Sequence, residues 1–209
     1  MNKQELIKEV RSYLECFKKI NKKDEKILEA ISKVDRKDFM PKNKELAYEN
    51  EAIPIGYNQT ISQPSTVARM LSLLELKKTD KVLEIGAGSL WNAALLSFLA
   101  RKVTTLEILK PLVERAKKKI KKLKLKNIII KQQDFRKIKE KFNKIIFTAG
   151  ITSEQDYIIE NYAKTHLKNN GTLVCPHQSG PLIVIKKEKN KLKIQYTKEH
   201  YVFVPLILR

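Results

Sequence analysis

The sequence predicts an α/β protein built on a Rossmann-like, doubly wound and mostly parallel sheet, with helices at the N-terminus and antiparallel edge strands at the C-terminus. Three observations point there. Residues 81–107, KVLEIGAGSLWNAALLSFLARKVTTLE, read as strand, glycine turn, apolar helix and β-branched strand, which is one βαβ unit. Residues 144–148, KIIFT, are apolar enough for the centre of a parallel sheet, where both faces are covered. Beyond Gly171 the apolar runs are short and joined by polar turns, so the sheet is expected to finish in antiparallel strands.

At 209 residues and 42% hydrophobic content, the chain is expected to form one domain over 1–209 with a real core. No apolar run approaches the ~20 residues of a membrane span. The charged N-terminus does not read as a signal peptide. Cys16 and Cys175 form no C-x-x-C, and with His166, His177 and His200 they make no metal set, so no metal and a reducing, cytoplasmic location are expected. The balance of 43 basic against 23 acidic residues gives a charge of +20, which would suit a nucleic-acid partner. Only seven of the basic residues are arginine, the side chain suited to bidentate reading of bases and phosphates, and lysine is spread along the whole chain. Nucleic acid is therefore not the favoured partner.

Taken in order, Leu6, Val10, Leu14 and Phe17 recur at helical spacing over residues 2–20. Asp24 is placed as the N-cap of a second helix carrying Ile27, Ile31 and Val34. This helical cover, residues 1–40, is expected to lie over the sheet, and Pro41 ends it. Residues 46–64, LAYENEAIPIGYNQTISQP, contain Pro54, Gly56, Asn58 and Pro64, which exclude a long regular element, while Ile53, Ile55 and Ile61 ask for burial. Such an ordered loop, holding polar side chains between apolar anchors, is expected to carry function. A helix over 65–76 turns Val67, Met70, Leu71 and Leu74 inward, and the helix of the βαβ unit runs from about Leu90 to Ala100. Pro111 opens a helix to about Leu123 whose KKKIKKLKLK end reads as a solvated face near the negative end of the dipole. Strands at 127–131 and 144–148, a helix at 157–167, and strands at 172–175, 182–186, 192–197 and 201–207 complete the prediction.

The glycine turn predicts a nucleotide ligand. Glu107 lies 21 residues after Gly86, a spacing that suits a carboxylate holding ribose hydroxyls. A dinucleotide fingerprint would need glycine at Trp91, and no P-loop run is present. The remaining pattern is E-x-G-x-G-x-G of proteins that bind S-adenosyl-L-methionine, with Leu90 in place of its last glycine. A glycine turn of some other α/β protein stays open at this point. Glu84, Glu107, Asp134 and Thr148 fall at the ends of successive strands, where open α/β sheets bind ligands, and a carboxylate at Asp134 suits an adenine amino group.

These residues resemble the protein-L-isoaspartate O-methyltransferase family. The most specific match is AYENEAIPIGYNQTISQP, whose Gln59-Thr60-Ile61-Ser62-Gln63-Pro64 is similar to that family's signature loop. VDRKDFMP (34–41), LEIGAGS with its W-N-A-A-L-L helix, FNKIIFTA (142–149) and VFVPL (202–206) are similar too, so the resemblance runs from about Val34 to Leu206. It implies a class I methyltransferase fold and transfer of a methyl group from S-adenosyl-L-methionine to isoaspartyl residues of damaged proteins. Ser62 would be the active-site hydroxyl, and Thr60 and Ile61 would line the methionine end of the cofactor. Glu84, Gly86, Gly88 and Ser89 would form the cofactor turn, Glu107 would hold the ribose and Asp134 the adenine. The expected partners are isoaspartyl-containing proteins and peptides, with no membrane, and the chain is expected as a monomer. Residues 46–64 would be the substrate loop, 81–148 the cofactor-binding core and 171–209 the C-terminal strands.

Departures from the family pattern are Leu90 for the third glycine, Gln133-Asp134-Phe135 for G-D-G, and Thr148-Ala149-Gly150-Ile151 for T-A-A-A-P. Asn58 stands for a usual glycine and Asn143 for a usual aspartate. A Leu90 side chain pointing toward the methionine tail would narrow the pocket. A methyltransferase acting on RNA or another substrate, and a diverged non-catalytic member, are the competing readings.

Overall fold

The computed structural model describes residues 1–208. Helix α1 (Lys3–Glu15) starts on a capping box in which Asn2 accepts the Gln4 and Glu5 amides and Glu5 reaches back to the Asn2 amide. Helix α2 (Lys22–Lys33) is capped by Asn21, not by Asp24. An N-cap side chain must reach amides two and three residues ahead, which Asn21 does; Asp24 sits at the third helical position and closes the box from inside. Its buried carboxylate also accepts from the Ser72 hydroxyl at 2.7 Å.

The expected irregular loop holds a small hairpin, β1 (Ile53–Gly56) and β2 (Gln59–Ile61), with Ile53, Ile55 and Ile61 buried as predicted. Tyr57 and Asn58 turn it with φ of 58° and 55°, both left-handed, as a two-residue hairpin turn requires. Helix α3 (Pro64–Leu74) opens on proline, whose missing N–H costs nothing at a first turn.

The βαβ unit is β3 (Lys81–Ile85), α4 (Trp91–Leu99) and β4 (Lys102–Glu107), followed by α5 (Lys110–Lys122) and β5 (Ile128–Gln132). The chain then crosses back to β6 (Phe142–Phe147), α6 (Asp156–His166) and β7 (Leu167–Pro176), and ends in β8 (Ser179–Gly180), β9 (Leu182–Glu188), β10 (Lys191–Tyr196) and β11 (Tyr201–Val202). Seven strands form one sheet in the order β10-β9-β7-β6-β3-β4-β5, parallel from β7 to β5 and antiparallel at β9 and β10. That is the doubly wound architecture with its antiparallel edge.

The strand expected over 201–207 is shorter. Tyr201–Val202 pair with β8 rather than the main sheet, and beyond them only Pro205, which cannot donate to a ladder, makes an isolated bridge, to Gly150. Residues 203–206 instead form a strap: Phe203 N–H donates to Gln178, Gly150 N–H to Val204, and Leu206 N–H to Gly150. The N-terminal helices do not all lie on the sheet directly; α1 packs on α2 and α3, and α3 lies against β6 and β7. No helix among the described residues is long and apolar enough to cross a membrane.

Candidate active site

Sequence order reverses between β3 and β6, so the ends of these two strands diverge into a crevice, where open α/β sheets take ligands. Two adjoining cavities occupy it, of about 600 and 480 Å³, sharing Gln59, Gly86, Glu107 and Ala149. Both are concave and open to solvent, with a mostly apolar lining and a few convergent polar groups, as small-molecule sites are.

The turn wall comes from the βαβ unit. Gly86 and Gly88 have φ of 98° and 49°, which glycine adopts without penalty. A Cβ on Gly86 would strike the Thr148 hydroxyl, which donates to the Gly86 carbonyl at 2.5 Å, whereas one on Gly88 would meet only the Thr60 carbonyl at 3.9 Å. The chain thus leaves open space where a ligand must approach the backbone. Leu90 takes φ 73°, a left-handed cost of about 1–2 kcal/mol for a side chain. Its side chain is fully buried in the core beneath α4 and lines neither cavity, so it does not narrow the pocket. Burying a leucine gives back about 1.5–3 kcal/mol. Ser89 lines the first cavity and its Oγ accepts the Trp91 amide at 3.1 Å, starting α4.

Glu107 is where a ribose-binding acid should be, at the end of β4, lining both cavities. Its carboxylate is fixed by three amides: Gly88 at 3.0 Å, Ile108 at 2.8 Å and Leu109 at 3.0 Å. Asp134 lines the second cavity. Arg136 grips its carboxylate at 2.6 and 3.0 Å and holds it below the usual carboxylate range. A carboxylate has about four lone-pair sites, so acceptor capacity remains for an adenine amino group.

Glu84 corrects the prediction. It is the penultimate residue of β3, completely buried, and lines neither cavity. Successive strand side chains alternate faces, so Ile85 meets the crevice and Glu84 points away from it. There it accepts from Asn92 Nδ2 at 2.9 Å and from the Thr105 hydroxyl. Burial pushes its carboxyl up to about 7, with the two hydrogen bonds opposing and the Glu107 charge adding. Glu84 therefore braces the turn from behind.

The loop wall is β2 with the residues after it. Thr60, Ile61 and Ser62 line the first cavity; Thr60 and Ser62 also line an outer groove of about 710 Å³, which His200 and the strap residues border. Thr148, Phe203 and Val204 belong to both spaces. Ser62 thus stands at the boundary between crevice and groove.

The residue that fixes this loop was not singled out from sequence. The buried Arg36 guanidinium donates to the carbonyls of Ala47 (3.1 Å), Glu49 (3.0 Å), Glu51 (2.7 Å), Ile61 (3.4 Å) and Ser62 (3.2 Å). It also lies over the Trp91 ring at 5.5 Å, joining the loop to α4. Burial brings it down to about 10, so it stays charged at neutral pH. The signal was present in V-D-R-K-D-F-M-P, but nothing in a single arginine says that its partners are carbonyls up to 26 residues away.

With the site described, comparison with known proteins is informative. The family described as "Protein-L-isoaspartate(D-aspartate) O-methyltransferase (PCMT)" matches residues 1–209. A protein-L-isoaspartate O-methyltransferase of Dictyoglomus turgidum is 45% identical over 170 residues, covering 79% of this chain and 75% of that one. One of Proteus mirabilis is 39% identical over 208 residues, covering 97% of each. Among solved structures, a putative protein-L-isoaspartate O-methyltransferase of Plasmodium falciparum in complex with S-adenosyl-L-homocysteine superposes with a TM-score of 0.79, covering 99% of each chain. At 20% identity that likeness is one of fold.

Proposed function

The chain belongs to the protein-L-isoaspartate(D-aspartate) O-methyltransferase family, and from that premise we propose that it methylates the free α-carboxylate of isoaspartyl residues in damaged proteins, using S-adenosyl-L-methionine. The observation that carries this reading is the position of Ser62, shared between a nucleotide-sized crevice and an outer groove. The crevice residues fit the cofactor: Gly88 clears the backbone, Glu107 would hold the ribose hydroxyls, Asp134 the adenine amino group, and Thr60, Ile61 and Ser89 the methionine end.

When bound, the cofactor supplies an electrophilic methyl on sulfur. The substrate's carboxylate has an ordinary pKa near ~4 and is already ionised, so no general base is required. The chain's own task is alignment and exclusion of water. Ser62 would donate its hydroxyl proton in a hydrogen bond to one carboxylate oxygen, leaving the other free to attack. The strap at Phe203 and Val204 would close the space between the two ligands. The methyl ester formed is electrophilic where the carboxylate was not, so the backbone nitrogen attacks its carbonyl, gives up its proton and expels methanol to close a succinimide, whose hydrolysis returns part of the chain to normal aspartate.

Among the described residues that line the crevice and the groove none is lysine or arginine, despite the charge of +20. A polyphosphate backbone would call for them there, which disfavours RNA as the substrate. We read the described residues as one methyltransferase domain acting as a cytoplasmic monomer on isoaspartyl proteins and peptides. Labelled methyl should pass to an isoaspartyl peptide and not to its aspartyl twin. Cofactor binding by calorimetry without transfer to either peptide would overturn the assignment.

A further inference from the structure

The edge of the sheet opposite the crevice holds a second charged cavity that the methyl-transfer reading does not use. It has a volume of about 460 Å³ and lies where the first turn of α2 and the end of α3 meet the lower ends of β6, β7 and β9. Five lysines and two glutamates line it. The deepest is Lys144 on β6, only 5% exposed, whose Nζ donates to the Thr172 hydroxyl at 3.0 Å. Among the described residues no carboxylate forms an ion pair with it.

A buried ammonium beside one neutral hydroxyl has two further protons with no protein acceptor among the described residues. Burial pushes it down to about 8, with Asp80 and Glu75 countering and Lys23 and Lys186 adding to the effect, so it is charged at neutral pH. Of these acids Glu75 is already engaged: its carboxylate accepts from Lys186 at 2.8 Å, and its carbonyl from Lys23 at 3.3 Å. The cavity therefore presents ammonium donors from three elements against Glu75, which is paired, and the exposed Glu188.

We propose that this cavity is an anion site that takes a small phosphate group, free or as a phosphomonoester, between Lys144, Lys23 and Lys186, with the Thr172 hydroxyl completing the shell. Phosphate fits better than carboxylate here. Ammonium groups arriving from different directions suit a tetrahedral oxyanion of higher charge, whereas a planar carboxylate is matched by an arginine fork, and no arginine among the described residues lines the cavity. Occupation would stabilise the folded chain by mass action.

The test is calorimetric titration of the full chain with potassium phosphate and, separately, glycerol phosphate, both against potassium chloride of equal ionic strength. Thermal unfolding is followed in the same buffers. Binding by both ligands, or by one, would identify the source of the group. Lys144→Met fills the same volume without charge and should weaken the phosphate Kd by about tenfold or more, the loss of one charge-assisted hydrogen bond. Lys23→Gln, on the exposed side, should weaken it several-fold and keeps the test alive if the Met variant fails to fold. Lys121→Gln on the solvated face of α5 should change nothing. An equal rise in unfolding temperature with chloride, an unaltered Kd in both cavity variants, or an equal loss in Lys121→Gln would overturn the proposal.

Discussion

The glycine turn at residues 86–88 and the loop at residues 53–63 border the same crevice, yet they are held in different ways. The turn grows out of the sheet: the Gly86 and Ala87 amides donate to the Leu106 carbonyl, the Gly88 amide to Glu107, and a buried carboxyl braces it from below. The loop has one short hairpin and otherwise hangs on side chains from elsewhere: Arg115 donates to the Ile55 carbonyl at 3.0 Å, and the Arg36 guanidinium ties the Ile61 and Ser62 carbonyls to those of Ala47, Glu49 and Glu51. Sheet-grown geometry is spread over many backbone bonds and survives the loss of any one side chain. Loop geometry that hangs on two cations does not.

The largest test of this contrast is Arg36→Ala. Several buried carbonyls would lose their donor at about 1–3 kcal/mol each, so stability should fall by at least ~3 kcal/mol in urea unfolding. Methyl transfer should fall further than cofactor affinity, because the loop and not the turn is released. Equal loss of both would mean that the walls are not independently held.

Next in size is Glu84→Gln. The folded carboxyl titrates at about 7 against an ordinary 4.5, so the folded state keeps a proton that the unfolded chain has released. Stability due to Glu84 is thus full below pH ~4.5 and is lost as pH rises through ~7, by about 3 kcal/mol in all. Glutamine keeps an acceptor and never ionises, so the variant should show a flatter dependence of unfolding temperature on pH and be the more stable protein at pH 8. Parallel profiles for the two proteins would show that Glu84 does not titrate in that window.

Glu107→Ala acts on the turn wall directly. It should weaken the cofactor Kd by about tenfold to a hundredfold, as charged hydrogen bonds worth about 1.5–3 kcal/mol are removed. Turnover at saturating cofactor should change less. A variant with unchanged Kd would remove the ribose role from Glu107.

These differences also explain what could be read from the sequence. Apolar periods gave the sheet and most helices, because burial of alternate or helical faces leaves a repeat in the chain. That Gly86, Gly88, Glu107 and Asp134 share one crevice was legible because strand ends in a doubly wound sheet converge there. Glu84 was misplaced by one residue of alternation, since a strand of five residues gives little room to fix which face is which. The direction of the Leu90 side chain is not legible in sequence because it follows the backbone, and at φ 73° it turns into the core. Asn21 displaced Asp24 because two polar residues three apart can each begin a helix on paper, and only the amides decide. Arg36 was invisible for a deeper reason: its partners are carbonyls, which every residue has.

The central claim is that Ser62, at the outer end of the loop wall, serves the substrate, while the turn wall serves the cofactor. It is tested most directly by single-turnover methyl transfer to an isoaspartyl peptide by Ser62→Ala, at saturating S-adenosyl-L-methionine, beside the unaltered protein. The account predicts a rate lower by roughly tenfold with an unchanged cofactor Kd, the loss of one hydrogen bond to the substrate carboxylate. An unchanged rate, or a weakened cofactor with normal transfer, would contradict it.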